Sequence, residues 1–287
     1  MSEKGDLRSI FSGIETKENF RISGANSLAG GSINEVYLLK TTAGERVLKI
    51  NDSDKFPEMF KAEKEGLTAL KNSKTIDVPK VYSCGKSGKY SYLLLEYKAK
   101  GSKAPDFWEK FAKNLAALHQ TTSGEFGFYA SNYIGSLPQY NGREKSAADF
   151  YINQRLEPQL KMASQRGFSF KNTNRIFKNI SKEIPAEPPA LIHGDLWGGN
   201  YLVNEQGEPC LIDPAVCYGP REMDLAMMKL IGGFSEEVFE RYNEYYPLKM
   251  GFQERIPLWQ LYYLLVHLNI FGSSYHSRVK SILDSYS

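Results

Sequence analysis

The chain has 287 residues, enough for one large domain or two modest ones with a substantial core. Its 41% hydrophobic and 24% charged residues are ordinary for a globular protein. A net charge of +3 without a long Lys/Arg run argues against a nucleic-acid binder. The most apolar run, residues 261–271, is too short to span a bilayer and contains His267 and Asn269, so no membrane association is expected.

The cysteines and the N-terminus predict the compartment. Cys84, Cys210 and Cys217 form neither a CxxC motif nor an even set that could make a disulfide framework. The opening residues, MSEKGD, lack the apolar core of a signal peptide. We therefore expect a reduced, cytoplasmic protein.

The first part of the chain predicts a short polar helix or arm over residues 1–19, followed by strands. Gly30, Gly31 and Ser32 stand at a turn between two of these strands. Glycine lets backbone N–H groups approach a polyphosphate closely, so this turn is a candidate nucleotide-binding loop. The turn lacks the full GxGxxG pattern, and an ordinary hairpin would have the same residues.

A single lysine, Lys49, interrupts the apolar strand predicted at residues 47–50. A buried ammonium group needs a partner of opposite charge. In the helix predicted over residues 57–71, Glu63 lies on the apolar face and Glu65 lies off it. We expect Lys49 to pair with Glu63 and to hold nucleotide phosphates, as the corresponding pair does in kinases.

Strands are predicted at residues 78–82 and 90–96, and the chain then enters the polar segment 98–102. We place a boundary here, between an N-terminal lobe of residues 1–97 and a C-terminal lobe of residues 98–287. Apolar residues at helical spacing mark the helices that follow. These are predicted at residues 105–119, 150–163, within 171–190, and at 222–231, 234–246 and 256–271.

The central motif is His193-Gly194-Asp195, with Asn200 five residues after Asp195 and Asp213 after a hairpin-like insert. A strand, a turn and a strand would bring Asp195, Asn200 and Asp213 into one small volume. Phosphoryl transfer needs a carboxylate facing the acceptor hydroxyl, and an amide and a carboxylate on magnesium. The spacing resembles the H-x-D-x-x-x-x-N loop and metal-binding Asp of kinases, although each Asp alone would also suit a backbone cap.

The longer strings are more specific. HGDLWGGN from His193, DPA from Asp213 and YGPREMDLA from Tyr218 resemble the fructosamine kinase (ketosamine 3-kinase) family of protein-kinase-like small-molecule kinases. The resemblance covers about residues 30–275 and includes the tract 132–139. One departure lies at residues 147–148, two alanines near a position where members usually carry Trp. The family implies a two-lobed α+β fold: an antiparallel sheet with one main helix, then a mostly helical lobe.

The resemblance also implies the reaction. ATP and Mg²⁺ would be the cofactors, and the acceptor would be the O3 hydroxyl of a ketosamine, either free or protein-bound. The resulting 3-phosphate is a good leaving group, whose elimination would release the amine and so deglycate it. Which of the fructosyl, ribulosyl and erythrulosyl sugars is used stays open.

Residue roles follow from the same resemblance. Asp195 would orient or deprotonate the hydroxyl, whereas Asn200 and Asp213 would hold magnesium. The strand end before the lobe boundary offers backbone groups to adenine in kinase-like enzymes, and the sugar lies beside a tryptophan and a histidine. In this sequence the adenine-binding residues would be Glu96 and Tyr97, and the substrate-binding residues would be Trp197 and His267.

Several alternatives stay open at this point. The enzyme could be a choline or aminoglycoside kinase, or the protein a nucleotide-binding module without turnover. Asp224 would either cap its helix or accept hydrogen bonds from the His193–Gly194 backbone. Many members of the family have a cysteine where this chain has Ser32, so we expect a monomer without a disulfide-linked dimer through that turn.

Overall fold

The structure, a computed structural model, describes residues 3–28 and 33–287. Gly30, Gly31 and Ser32 lie outside the described residues, so the proposed nucleotide-binding turn stays a prediction. Within the described part of the chain, no helix is both long and apolar enough to cross a membrane.

The described residues form an α+β fold, with the five longest strands before residue 97 and most helices after it. The strands are β1 (Ile22–Ser27), β2 (Glu35–Thr41), β3 (Gly44–Asp52), β4 (Val81–Ser87), β5 (Tyr90–Glu96), β6 (Asn132–Ile134), β7 (Leu137–Gln139), β8 (Ala190–Ile192), β9 (Tyr201–Val203), β10 (Pro209–Leu211) and β11 (Cys217–Gly219). The helices are α1 (Glu3–Glu18), α2 (Met59–Ser73), α3 (Phe107–His119), α4 (Ala147–Tyr151), α5 (Glu157–Gln165), α6 (Thr173–Glu183), α7 (Glu222–Ile231), α8 (Glu236–Tyr245), α9 (Phe252–Phe271) and α10 (His276–Ser285).

The N-terminal sheet is antiparallel, with strand order β1-β2-β3-β5-β4. Side chains alternate along a strand, so β3 sends Leu48 to one face and Val47 and Lys49 to the other. Leu48 packs in a cluster with Ile10 and Ile14 of α1, which covers the first face. The predicted polar helix or arm at the N-terminus is therefore a helix that completes a small core.

Helix α2 covers the second face of the sheet. Phe60, Leu67 and Leu70 are buried in the main hydrophobic cluster together with Leu93 and Leu95 of β5. Because Lys49 points to this same face, the packing of α2 brings Glu63 within reach of its ammonium group.

Some predicted elements were wrong in their extent. Strand β4 begins at Val81 rather than at residue 78, and Pro79 between these positions has no N–H for a strand ladder. The helix predicted over residues 150–163 is α4, a π-helical turn at Ile152–Leu156 and α5 in succession. Strand β5 ends at Glu96 and α3 begins at Phe107, and the lobe boundary after residue 97 stays a prediction.

In the C-terminal part, α7 and α9 are joined by a buried carboxylate. The Glu222 side chain is 1% exposed. It accepts hydrogen bonds from Arg255 Nε and Nη2 at 2.9 and 2.6 Å, and from Trp259 Nε1 at 2.7 Å. Arg255 and Trp259 both belong to α9, so this cluster fixes the packing of the two helices.

We predict that Glu222→Ala destabilises the fold by about 3–5 kcal/mol, since it leaves the Arg255 guanidinium buried without its counter-ion. Urea unfolding measures the change. Glu236→Ala is the matched control, because its ion pair with Lys229 is on the surface, with the glutamate side chain 78% exposed. Equal stability losses in the two variants would contradict a special role for the buried cluster.

Candidate active site

One buried carboxylate binds the backbone of the His193–Gly194 turn. The backbone N–H groups of His193 and Gly194 donate to Asp224 Oδ2 and Oδ1 at 2.7 and 2.8 Å. Asp224 is fully buried in the first turn of α7, and its Oδ2 also contacts His119 Nε2 at 3.2 Å. His119 Nδ1 in turn contacts the hydroxyl of Tyr242 at 2.8 Å. Of the two alternatives for Asp224, the structure therefore shows the contact with the turn.

The His193 ring ties this turn to the strand that precedes Asp213. The N–H of Asp195 donates to Nδ1 at 3.3 Å, so Nε2 carries the proton and donates to the Ile212 carbonyl at 2.9 Å. Burial lowers the pKa of His193, which keeps the ring neutral. Gly194 has φ +84°, and a Cβ there would lie 2.1 Å from the Ala215 carbonyl oxygen, so only glycine fits.

Asp195 and Asn200 face each other across the loop. Asn200 Nδ2 donates to the Asp195 carbonyl at 2.8 Å and to Oδ2 of the same residue at 3.2 Å. The N–H of Ile212 donates to the Asn200 carbonyl at 3.0 Å, which places Asp213 one residue further along. Burial, followed by the charge of Asp213, raises the pKa of Asp195 to about 7.

Lys49 connects the sheet to this loop. Its ammonium lies 2.7 Å from Glu63 Oε1 and 2.5 Å from Asp213 Oδ1. Burial alone would lower the pKa of Lys49, but the carboxylates of Asp213 and Glu63 outweigh it and hold the pKa above its usual value. The partner on α2 is Glu63 and not Glu65, as the helical pattern predicted.

These side chains line one cavity between the sheet and the helical part. The described residues that line it are Ile33, Asn34, Lys49, Met59, Ala62, Glu63, Asn132, Tyr133, Gly135, Asp195, Trp197, Asn200, Asp213, Pro214 and Ala215. Its charged members are three carboxylates and one ammonium, so the cavity is negative when all of them are ionised. A divalent cation would balance that charge.

The available donors fit magnesium rather than a metal held by protein ligands alone. No cluster of three or more His, Cys, Asp or Glu side chains in residues 3–28 and 33–287 could hold a metal ion. Mg²⁺ is usually bound by one or two protein oxygens together with substrate phosphates. Asp213 and Asn200 both line the cavity and carry such oxygens, and the Asn200 amide nitrogen is engaged with Asp195, which turns its oxygen away from that residue.

The other predicted residues are spread around this cavity. Trp197 lines it and is 37% exposed, and its ring lies over Gly199, where a Cβ would be 2.2 Å away. His267 is not among the described lining residues; its Nδ1 contacts the Tyr263 carbonyl at 2.6 Å, and its ring lies 5.6 and 5.0 Å from those of Phe271 and Tyr275.

Of the predicted adenine-binding residues, Glu96 ends β5 and Tyr97 follows it, and both are outside the described lining. The Glu96 N–H already donates to the Lys80 carbonyl at 2.8 Å, so a contact from Glu96 to adenine would come from its carbonyl.

Three buried polar residues next to the site had no predicted role. Asn132 and Gln139 donate to the Val216 and Ala215 carbonyls at 2.8 and 3.0 Å, and the hydroxyl of Tyr262 donates to Gln139 Oε1 at 2.7 Å. The tract 132–139 stood out in the sequence only by its family resemblance. A glutamine at the end of a three-residue strand carries no local signal of a distant backbone partner.

Comparison with known proteins gives a consistent result. A family model described as "Fructosamine kinase" matches residues 9–287. A probable ketoamine kinase of Enterococcus faecium is 39% identical over 270 residues, which cover 90% of this chain and 94% of the relative. A chloroplastic protein-ribulosamine 3-kinase of Oryza sativa subsp. indica is 36% identical, with 93% of this chain and 79% of the relative covered.

Solved structures show the same fold. A structure from Haemophilus somnus, presented as that of a fructosamine-3-kinase, has a TM-score of 0.89 at 29% identity, with 99% of this chain and 98% of the other covered. An aminoglycoside phosphotransferase in ternary complex with ADP and hygromycin B has a TM-score of 0.65 at 17% identity over 96% of this chain, a likeness of fold alone. The predicted two-lobed, protein-kinase-like α+β fold is confirmed.

We predict that Asp224→Asn lowers both the melting temperature and the turnover number. An amide has one acceptor oxygen, so a backbone N–H of the turn loses its partner, at a cost of about 1–3 kcal/mol. Thermal unfolding and initial rates measure the two effects. Asp284→Asn serves as the control, because its ion pair with Lys280 is exposed. A wild-type melting temperature for Asp224→Asn would show that the turn does not depend on this carboxylate.

Proposed function

This chain belongs to the fructosamine kinase family, and we propose that it transfers the γ-phosphoryl group of ATP to the O3 hydroxyl of a ketosamine. One observation carries the proposal: Asp195, Asn200, Asp213 and Lys49, from separated parts of the sequence, line the same cavity. These are the side chains that phosphoryl transfer from a magnesium nucleotide requires.

Asp195 is the proposed base. It would accept the proton of the O3 hydroxyl as the oxygen attacks the phosphoryl group, a contribution worth roughly 10²–10⁴-fold in rate. A pKa of about 7 suits a group that takes a proton near neutral pH. The hydrogen bond from Asn200 Nδ2 to Asp195 Oδ2 keeps the carboxylate oriented toward the cavity.

The nucleotide would lie under the N-terminal sheet. Lys49, held by Glu63, would contact its phosphates, and Asn200 and Asp213 would hold Mg²⁺. When bound there, Mg²⁺ would neutralise charge on the phosphates. We further propose that Gly30, Gly31 and Ser32 surround the phosphates and that Glu96 and Tyr97 bind adenine.

The acceptor would lie on the other side of the phosphates. Trp197 presents an indole ring to the cavity that can cover the apolar face of a sugar and exclude water. His267 is the second proposed sugar contact. Phosphorylation turns O3 into a good leaving group, so elimination of the phosphate frees the amine. The protein would therefore act in deglycation of free amines or proteins.

A choline or aminoglycoside kinase is the less favoured alternative. A polyamine acceptor calls for carboxylates that are free to pair with its ammonium groups. The carboxylates of the described cavity lining are Glu63, Asp195 and Asp213, and each already has a role in phosphoryl transfer. A binding module without turnover fits less well, because no catalytic position is missing.

We also propose that the enzyme is a cytoplasmic monomer that contacts neither nucleic acid nor membrane. In support, Cys84, Cys210 and Cys217 are free thiols, and the last two are buried. Ser32 cannot form the disulfide that a cysteine in the same turn could make.

We predict that Asp195→Ala keeps nucleotide affinity and loses turnover, because Asp195 faces the acceptor and the metal is held by other side chains. Calorimetry with AMP-PNP and an ATP-consumption assay over fructosyl, ribulosyl and erythrulosyl amines measure the two, with choline and kanamycin as control acceptors. Glu205→Ala, an exposed carboxylate in the following hairpin, is the control variant. Near-normal turnover of Asp195→Ala would remove this residue from the mechanism.

We predict that Trp197→Ala and His267→Ala lower kcat/KM for the ketosamine while ATP affinity and melting temperature stay close to wild type. The physical reason is that both side chains would contact the sugar and neither would contact the nucleotide. Steady-state kinetics and thermal unfolding measure these quantities. If the melting temperature fell in step with the activity, both residues would be packing elements and the sugar would bind elsewhere.

A further inference from the structure

The strained backbone of Asp213 needs support from its neighbours. Asp213 has φ +55°, a left-handed conformation that costs a non-glycine residue of order 1–3 kcal/mol. Such a conformation persists only where the surrounding structure enforces it. Before Asp213, the Ile212 carbonyl is bound by the His193 ring. After it, Ala215 is held from two sides: its N–H donates to the His193 carbonyl at 2.9 Å, and its carbonyl accepts a hydrogen bond from a hairpin elsewhere in the chain.

Gln139 supplies that support from the β6–β7 hairpin. Its Nε2 donates to the Ala215 carbonyl at 3.0 Å and to Asn132 Oδ1 at 2.8 Å. Asn132 Nδ2 in turn donates to the Val216 carbonyl at 2.8 Å. Two successive carbonyls, two and three residues after Asp213, are thus held by side chains of a single hairpin.

The orientation of the Gln139 amide is set by α9. Gln139 is 2% exposed, and its Oε1 accepts a hydrogen bond from the hydroxyl of Tyr262 at 2.7 Å. Burial raises the pKa of Tyr262, so this hydroxyl keeps its proton and acts as the donor. With the oxygen so engaged, the amide nitrogen must face the Ala215 carbonyl.

Adjacent tyrosines of α9 therefore support both halves of the site. The hydroxyl of Tyr263 donates directly to the Gly194 carbonyl at 3.1 Å, beside Asp195. Tyr262 acts on the segment after Asp213, and it does so through Gln139. One helix thus holds the loop that carries the proposed base and the loop that carries the proposed metal ligand.

We propose that Gln139 is a positioning residue for phosphoryl transfer. Through its hydrogen bond to the Ala215 carbonyl, it holds Asp213 in the geometry that binds Mg²⁺. The proposal rests on the metal role proposed for Asp213. Removing a group that orients a metal ligand typically lowers metal affinity or activity 10–100-fold. Gln139 would act in this way through the backbone, without touching substrate.

Gln139→Glu is the sharpest test, because it keeps the size of the side chain and the oxygen facing Tyr262 but removes the amide N–H donors. Calorimetry gives the Kd of AMP-PNP with Mg²⁺ and with EDTA, an assay that needs no acceptor. We expect the ratio of the Kd in EDTA to the Kd with Mg²⁺ to fall about tenfold or more relative to wild type. The Kd in EDTA and the KM for the ketosamine should stay within about twofold of wild type, while kcat falls.

Gln260→Met is the matched control. Gln260 is also a buried glutamine of the helical lobe, whose Nε2 donates to the Ala226 carbonyl at 3.1 Å and whose Oε1 accepts from Arg278 at 3.0 Å. Its loss should lower the melting temperature and leave the Mg²⁺-dependent affinity unchanged. If Gln139→Glu does not fold, Tyr262→Phe, which only frees the amide to rotate, should weaken the same affinity in the same direction.

The proposal is overturned if Gln139→Glu binds Mg²⁺ and AMP-PNP like wild type. It is also overturned if Gln260→Met loses as much Mg²⁺-dependent affinity for AMP-PNP as Gln139→Glu does. A wild-type protein whose nucleotide affinity does not respond to Mg²⁺ would refute the metal role of Asp213 as well. Failure of every ketosamine as acceptor would refute the proposed substrate alone, because the binding measurement would still report on Gln139.

Discussion

The position of Lys49 between two carboxylates is the constraint on which the rest of the structure depends. Glu63 comes from the helix beside the sheet, and Asp213 comes from a loop of the helical part, 164 residues after Lys49. The lysine side chain is 7% exposed, so loss of both carboxylates would leave a buried ammonium group unpaired. The sheet, α2 and the loop after β10 are therefore fixed relative to one another at the cavity.

Buried polar groups in the helical part also fix the His193–Gly194 turn. Asp224 and Glu222 are two residues apart at the start of α7 and have different partners: Asp224 holds the His193–Gly194 turn and Glu222 holds α9. Buried and fully partnered groups of this kind specify one arrangement more than they add stability. Helix α9 then returns to the site with Tyr262 and Tyr263, so the anchored helix also supports the loops above it.

Much of this arrangement could be predicted from the sequence, because it follows from local periodicity and spacing. The apolar strand around Lys49 indicated that its ammonium group is buried, and helical spacing selected Glu63 over Glu65. The short insert between Asn200 and Asp213 was predicted to be hairpin-like, and β9 and β10 pair in that way. The same patterns predicted the order of the sheet-forming and helical halves.

Only the tertiary structure decided the hydrogen bonds between residues that are far apart in the chain. Asp224 had two interpretations, a cap of its own helix or a contact with the His193–Gly194 backbone, and only the position of that turn, 30 residues away, selected one. Gln139 meets Ala215 across 76 residues and Tyr262 across 123. Periodicity shows that a side chain is buried, but not which distant carbonyl or hydroxyl it will meet, since that depends on the packing of β6, β7 and α9 around the site.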